Sequence, residues 1–499
     1  MPSSPPMLLL AALYALASAV LFAFGLNGLW LATRHRRQGG LRPDPAAPEP
    51  AEWPPVTVQL PLYNEPFVVE RLVDAAARLD YPGALEIQVL DDSTDGTRAL
   101  AAARVAHWQA RGVRIVHLTR AGRRGFKAGA LARGLARAAG ALVAVFDADF
   151  VPPPDFLRRT VPVLLADDGL GLVQARWGHL NASDALLTRV QAALLDTHFV
   201  VEQDVRCGAG LLMNFNGTAG LWRRACIEGA GGWQSDTLTE DLDLSYRAQL
   251  AGWRFRFLGE VAVPAELPAT VAAWRQQQFR WTKGAAETAR KLLGRVWRSA
   301  LPLRAKVQAT LHLGGFAVYP ALLVAALLHA PLLVGRALGA GPGDAYFAAL
   351  APGVVAFAGV LLAHAAAQRA LYPDWRRRLR YEPALLAASL GLAVSNTRAA
   401  VEALAGRRSP FARTPKAGDR GGRAALAVRP GARARAVAWA ERALALYSLA
   451  GLAALVAVGA WEGVGFQALF AAGFALLGFH DAVAPRPAWR RASGAVRGA

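Results

Sequence analysis

The chain has 499 residues, 54% of them hydrophobic, and a formal net charge of +20. That length exceeds one ordinary domain, and a soluble core of about 150–250 residues leaves half of the chain over for membrane segments. The only cysteines, Cys207 and Cys226, exclude a disulfide framework or a zinc ligand set and read as small buried residues. The surplus Lys and Arg sit largely in short loops beside apolar runs, as the positive-inside rule expects, and no recognition motif for nucleic acid accompanies them.

Residues 7–32 form an apolar run long enough to cross a bilayer, followed at once by Arg34-His35-Arg36-Arg37. A secretory signal carries its positive charge ahead of the apolar core. Segment 1–37 is therefore expected to be an uncleaved helix whose C-terminal end faces the cytoplasm. A linker rich in Pro and Gly, 38–55, leads into a domain expected at 56–265.

That domain alternates strand and helix. Strands are predicted at 56–60, 86–90, 113–117 and 142–146, with helices at 67–79, near 95–110 and at 126–139. Such alternation predicts an α/β fold with a doubly wound, mostly parallel sheet, whose ligands sit beyond the carboxyl ends of the strands. Polar groups collect there: Asn64-Glu65 after the first strand, Asp91-Asp92 after the second, and Asp147 and Asp149 after the fourth.

Interfacial helices are expected at 266–308. Region 309–405 reads as two spans, 309–333 and 345–367, and then a half-buried or interfacial helix at 383–405. The loop 406–436 is rich in Arg and Lys, with Asp419 as its single acid, and is placed in the cytoplasm. Two more spans, 438–460 and 463–482 within 437–485, leave the basic tail 486–499 on the same side.

Several clusters carry chemistry. Asp147-Ala148-Asp149 at a strand end is the shape of a Mg²⁺ or Mn²⁺ site for a diphosphate; the plain reading is a solvated turn. Asp91-Asp92 opens onto a helix N-cap supplied by Ser93, Thr94 or Asp95, and either carboxylate is also placed to bind a base or ribose. Lys127 opens a helix whose N-terminus favours anions, so it is a phosphate contact or an exposed lysine. Within Thr239-Glu240-Asp241, Asp241 is a candidate general base toward a sugar hydroxyl, or one of several acidic residues starting a helix. In Gln277-Gln278-Phe279-Arg280-Trp281, the indole suits a sugar ring and the guanidinium a leaving diphosphate, and both also fit an interfacial helix with a Trp anchor. His107, His117, His179 and His198 lack metal-ligand spacing and are left as structural. No Walker-type loop and no Gly-x-Gly-x-x-Gly follows the first strand, which argues against ATPase and dinucleotide readings.

Taken together, Gln59-Leu60-Pro61-Leu62-Tyr63-Asn64-Glu65, Gln88-Val89-Leu90-Asp91-Asp92-Ser93-Thr94-Asp95, Phe126-Lys127-Ala128-Gly129-Ala130, Phe146-Asp147-Ala148-Asp149, Asn216-Gly217-Thr218-Ala219-Gly220, Thr239-Glu240-Asp241 and Gln277-x-x-Arg280-Trp281 resemble family-2 glycosyltransferases of the cellulose-synthase superfamily. The wording is nearest to the cellulose-synthase-like mannan and glucomannan synthases and their bacterial relatives. The resemblance implies a GT-A fold, a nucleotide-sugar donor and inversion at the anomeric carbon. It assigns Asn64, Glu65 and Asp91 or Asp92 to the nucleoside, and Asp149 with Asp147 to metal and diphosphate. Asp241 becomes the base, with Glu240, Gly217, Thr218 and Trp281 beside the acceptor and Gln277 and Arg280 at the mouth. Phe411-Ala412-Arg413-Thr414-Pro415-Lys416 resembles the gating loop that closes over the nucleotide in cellulose synthases, which adds Thr414 and Lys416 to the donor contacts; Arg413 replaces an aliphatic residue common there. The short tail after Pro485 shows no cyclic-dinucleotide-binding domain, so a cellulose-synthase-like relative is expected rather than cellulose synthase itself.

The expectation is a multi-pass enzyme of the cell membrane with its catalytic domain in the cytoplasm. It would extend a β-linked hexose polysaccharide from UDP-glucose or GDP-mannose and export it through its own helices, with accessory subunits left open. Single-sugar transfer to a membrane lipid is the alternative, and a transporter with a ligand-binding domain is the reading from another class.

Overall fold

Val56, Val58, Leu60 and Leu62 alternate with Thr57 and Gln59, and both sets are buried. A strand buried on both faces belongs inside a sheet that is covered by helices on each side. The computed structural model describes residues 5–407, 409, 413–416, 418 and 431–480. After α1 (Pro5–Arg37) come β1 (Val56–Leu62), α2 (Val69–Ala77), β2 (Leu85–Asp91), α3 (Thr97–Gln109), β3 (Ile115–Thr119), α4 (Phe126–Leu135) and β4 (Leu142–Val145). Then follow α5 (Phe156–Leu165), β5 (Leu170–His179), α6 (Leu186–Asp196), a π-helix (Thr197–Gln203) and α7 (Asp204–Gly208). The domain closes with β6 (Gly220–Arg223), α8 (Arg224–Gly229), α9 (Glu240–Leu250) and β7 (Arg254–Ala265), and α10 (Val271–Arg298) leads out of it.

The seven strands form one sheet in the order β3-β2-β1-β4-β6-β5-β7. β1 is parallel to β2 and β4, and β5 is parallel to β7, while β6 runs antiparallel to both of its neighbours. One face packs on α2, α3 and α5 through Leu72, Val105, Phe156 and Leu164. The other packs on α4, α8 and α9 through Leu131, Ile227 and Leu244. Each such buried side chain contributes roughly 1.5–3 kcal/mol. Gly134 lets α4 lie close over the buried Gln59–Gln88 pair, since a Cβ there would sit 2.6 Å from Gln59 Nε2.

The structure corrects three expectations. The sheet has three strands beyond the predicted four, although with β6 antiparallel it stays mostly parallel as expected. β3 begins at Ile115 rather than 113, because the Val113 N–H bonds to Trp108 O and so closes α3. Cys226 is fully buried, but Cys207 is only half-buried, with its Sγ accepting from the Phe257 N–H at 3.3 Å.

Among the described residues, five helices are long and apolar enough to cross a membrane: Pro5–Arg37, Leu303–Ala337, Asp344–Leu371, Ala432–Ala457 and Trp461–Gly478. The stretch expected as one helix at 383–405 is a pair, Trp375–Gly391 and Ala393–Leu404, bent by 40°. Beside the bend the chains cross closely, since a Cβ on Gly391 would lie 2.4 Å from Gly473 O. Gly25 and Gly359 let α1 and Asp344–Leu371 approach in the same way. α10 ties the domain to these helices: Arg275 Nη2 lies 2.7 Å from Glu441 Oε2 and donates to Leu477 O at 3.2 Å. Farther along, the fully buried Lys283 Nζ donates to Arg407 O at 2.6 Å and Ser409 Oγ at 2.5 Å. The tail 486–499, Phe411, Ala412 and most of the loop 406–436 lie outside the described residues.

Candidate active site

Because β6 runs against β4 and β5, it begins at the edge where β1, β2, β4, β5 and β7 end. Loops from six strands therefore meet at one edge of the sheet. They surround an open cleft of about 190 Å³. Glu65, Asp92, Lys127, Asp147, Asp149 and Gly217 line it from the sheet side. Glu240, Asp241, Gln277, Arg280 and Trp281 line it from α9 and α10, and Thr414 and Lys416 from across the mouth.

Three candidates stand behind the wall. Asn64, at φ 56, receives the Thr94 N–H on Oδ1 at 2.8 Å and donates its own N–H to Ser93 Oγ at 2.9 Å, so it pins the ends of β1 and β2 together. Asp91 is fully buried and accepts from the Ser93 N–H at 2.7 Å, with His117 Nε2 at 2.9 Å. Burial raises its pKa, but these bonds outweigh it and hold the carboxyl below its ordinary range. Thr218 Oγ1 accepts the Asp147 N–H at 2.9 Å and so fixes the turn after β4.

At one end of the cleft, Arg120 grips Asp92 through Nε and Nη2 and donates to Phe126 O at 2.9 Å, joining the end of β2 to the start of α4. Next to it the Arg123 guanidinium lies over the Tyr63 ring, 3.2 Å from its centroid. This corner offers a flat cationic and aromatic surface beside a carboxylate.

At the centre sits Lys127. Its Nζ lies 2.6 Å from Asp147 Oδ1 and 3.7 Å from Glu240 Oε1, and donates to Gly217 O at 2.8 Å. Burial works against its charge, yet Asp147 and Glu240 more than offset it and raise its pKa. Asp241 follows Glu240 in the first turn of α9, with Oδ1 receiving the Leu242 N–H at 2.8 Å. Burial first, and the neighbouring Glu240 second, push Asp241 up to about 7. Burial raises Glu240 as well. Gly217 is required here: its φ is +83°, and a Cβ would stand 2.9 Å from Asp241 Oδ2. A carboxylate poised near neutrality, beside a lysine and a bare backbone, is equipped to take a proton from a bound hydroxyl.

α10 supplies the opposite wall. Burial lowers the Arg280 guanidinium to about 10, which leaves it charged at neutral pH. Trp281 faces Trp177, with ring centroids 6.3 Å apart. Across the mouth, Arg413 pairs with Glu65 at 2.5 Å and Lys416 with Asp149 at 2.6 Å. Burial nonetheless dominates Glu65 and pushes it up to about 8. Thr414 Oγ1 is buried without a hydrogen-bond partner among the described residues.

Among the described residues no group of three or more His, Cys, Asp or Glu side chains is arranged to hold a metal ion. Asp147 and Asp149 supply two carboxylates at one strand end, each now paired with a lysine. Two carboxylates suit Mg²⁺ or Mn²⁺ when phosphate oxygens and water complete the shell, so the donor set fits an ion that arrives with a diphosphate.

The cleft also contains Trp177 and His179 at the end of β5, Asn216 before β6, Glu266 after β7, and Arg123; the sequence reading left His179 as structural and gave the others no site role. The signal for the first two and for Glu266 was the strands that carry them. β7 shows the plain alternation Arg254-Phe255-Arg256-Phe257, whereas β6 has only four residues.

Residues 54–284 match the family model described as "Glycosyltransferase like family 2". Glucomannan 4-beta-mannosyltransferase 2 of Arabidopsis thaliana is 45% identical over 254 residues, 50% of this chain and 48% of that protein. Glucomannan 4-beta-mannosyltransferase 1 of Oryza sativa subsp. japonica is 41% identical over 315 residues, 60% of each chain. The chain thus spans about half to three fifths of the length of these relatives. The mannosyltransferase PcManGT from Pyrobaculum calidifontis, solved with GDP-Man and Mn²⁺, superimposes with a TM-score of 0.53 at 23% identity, covering 79% of this chain and 99% of that one, which shows a shared GT-A fold. Seven ordered motifs meet in one cleft and the family model runs across all of them, so residues 54–284 are similar to glycosyltransferase family 2.

Proposed function

We propose that the chain is a membrane-embedded glycosyltransferase that transfers a hexose, mannose from GDP-mannose in the first instance, to the end of a β-linked polysaccharide. The observation that carries this reading is Asp241, raised to about 7, against Lys127, Asp147 and Gly217 in a cleft at the strand ends. The relatives named as mannosyltransferases favour GDP-mannose over UDP-glucose.

In this reading the nucleoside lies in the corner of Tyr63, Asp92 and Arg123, with Glu65 beside it. The diphosphate lies along Lys127, Arg280, Thr414 and Lys416, with Gln277 at its edge. The acceptor sugar stacks on Trp281 beside Glu240 and Gly217. Asn64, Asp91 and Thr218 hold these groups from behind. Asp147 and Asp149 would hold Mg²⁺ or Mn²⁺, which when bound offsets the charge of the departing diphosphate. The acceptor hydroxyl oxygen attacks the anomeric carbon from the face opposite the diphosphate. Its proton passes to an Asp241 carboxylate oxygen, the carbon–oxygen bond to the diphosphate breaks, and the nucleoside diphosphate leaves with that electron pair. A single displacement of this kind inverts the anomeric centre.

The five long apolar helices support a membrane location, and the Arg-rich segments beside them support a cytoplasmic cleft. Turnover of radiolabelled GDP-mannose and UDP-glucose by purified membranes with Mn²⁺ tests the reading, with Asp241→Asn as the control. High-molecular-weight product from GDP-mannose, lost in the variant, is expected. A single sugar on an organic-extractable lipid would replace the polymer with a glycolipid product. No turnover of either donor, or an unimpaired Asp241→Asn variant, overturns the enzyme.

A further inference from the structure

The π-helix Thr197–Gln203 interrupts the run between α6 and α7. In an α-helix, residues five apart point about 140° away from each other. A π-helix closes its bonds from i to i+5 and brings such residues onto one face, and it is frequent at functional sites. His198 and Gln203 are five apart, and both reach the same side chain. Gln203 Nε2 donates to Asn216 Oδ1 at 2.8 Å, and Asn216 Nδ2 lies 2.8 Å from His198 Nε2. With Nε2 accepting, His198 donates its Nδ1–H to Glu202 Oε2 at 3.0 Å. Glu202 Oε1 in turn receives Arg206 Nε at 3.0 Å. The donors run in one direction along this chain, from Gln203 through Asn216 and His198 to Glu202, which polarises each bond.

Asn216 lines the cleft and precedes Gly217, the residue against Asp241 Oδ2. Its backbone N–H is held by Gln174 Oε1 at 3.0 Å. With its carbonyl oxygen given to Gln203 and one amide hydrogen to His198, its second amide hydrogen remains for a ligand beside the base. We propose that Asn216 donates this hydrogen bond to a hydroxyl of the acceptor's terminal hexose next to the attacking one, and that His198 and Gln203 are positioning residues which lock the amide in that orientation. The inference rests on the glycosyltransferase reading and adds to it the residues that select the acceptor.

The test uses the full-length protein in detergent or nanodiscs, with β-1,4-linked mannotetraose or cellotetraose as acceptor and the donor that the wild type turns over. His198→Ala and Gln203→Ala should each raise the acceptor KM about tenfold, one neutral hydrogen bond's worth, while donor KM stays within about twofold. His198→Gln offers an amide oxygen to Asn216 and should recover most of the loss. Asn216→Ala should show the same rise, and His198→Ala added to it should cost nothing more. Additive losses, an equal rise in donor KM, or an unchanged acceptor KM in Asn216→Ala overturn the proposal. Should His198→Ala fail to fold, Asn216→Ala alone decides, because it lies outside the helix. A wild type that uses no nucleotide sugar brings down the glycosyltransferase reading and this inference together. An active wild type with an indifferent Asn216→Ala brings down the inference alone.

Discussion

Lys416 Nζ lies 2.6 Å from Asp149 Oδ2, a contact between a residue 267 positions further along the chain and the carboxylate that ends the β4 turn. Lys416 also donates to Glu266 O at 2.9 Å, so it closes the mouth of the cleft while neutralising a candidate metal ligand. Lysine and divalent cation compete for the same oxygen. Lys416→Gln should therefore tighten Mn²⁺ binding to the donor-free protein about tenfold, or ~1.4 kcal/mol. It should weaken donor binding, because the lysine proposed to meet the diphosphate is lost. Titration of Mn²⁺ by electron paramagnetic resonance, with and without nucleoside diphosphate, reads both; unchanged Mn²⁺ affinity would sink the competition.

Asp241 must be ionised to accept a proton, and its environment holds it at about 7. Donor-saturated rates should rise with pH up to about 7 and then level. Asp241→Asn should lower kcat by roughly 10²–10⁴ with little change in donor KM. The stability effect has the opposite sign. The folded protein keeps this proton up to about 7, whereas an unfolded Asp releases it near about 4. Stability therefore falls as pH climbs through that window, and Asp241→Asn should raise Tm at pH 8 more than at pH 4. Calorimetry at the two pH values checks it.

Gly217→Ala places a methyl 2.9 Å from Asp241 Oδ2 at a φ of +83°. Displacing the base by a fraction of an ångström should cost about 10–10² in kcat. The left-handed backbone adds a folding cost of about 1 kcal/mol or more. Kinetics beside a thermal melt separate the two. A variant with normal kcat would mean that the base lies elsewhere.

The Arg275–Glu441 pair is buried, with Glu441 fully shielded and Arg275 9% exposed. Glu441→Ala strands the guanidinium and should destabilise the protein by about 3–5 kcal/mol. A double replacement, Arg275→Met with Glu441→Leu, should recover much of that, because no uncompensated charge remains. Melting in detergent distinguishes the outcomes. Equal losses in the single and double variants would show that the charge pair is not what holds α10 down.

The parts of the site that were legible in the sequence are those that sit at the ends of apolar strands. Glu65, Asp92 and the Asp147–Asp149 pair announce themselves as charge directly after a buried run, and a parallel sheet sends such residues to one edge. Asp241, Arg280 and Trp281 were legible as a charged helix start and an aromatic anchor, although nothing in their spacing says that they face the same cleft. β6 escaped because four residues carry too little pattern, yet its direction is what brings Gly217 and Asn216 to the strand ends. The π-helix escaped because apolar periodicity reports i+3 and i+4 neighbours, while His198 and Gln203 meet only at i+5. The bend at Leu392 sits beside two glycines that meet across helices, a long-range contact that local propensity does not contain.

α10 runs 28 residues, about 42 Å, without a break. It carries Arg280 and Trp281 in the cleft wall, and on the same rod Arg275 is fastened to the helices Ala432–Ala457 and Trp461–Gly478, and Lys283 to the chain beyond Leu404. A rod fixed at several points transmits tilt. In the proposed reading, a thinner or thicker bilayer that leans those helices would move the indole proposed to meet the sugar, so lipid chain length would become a setting of the reaction geometry.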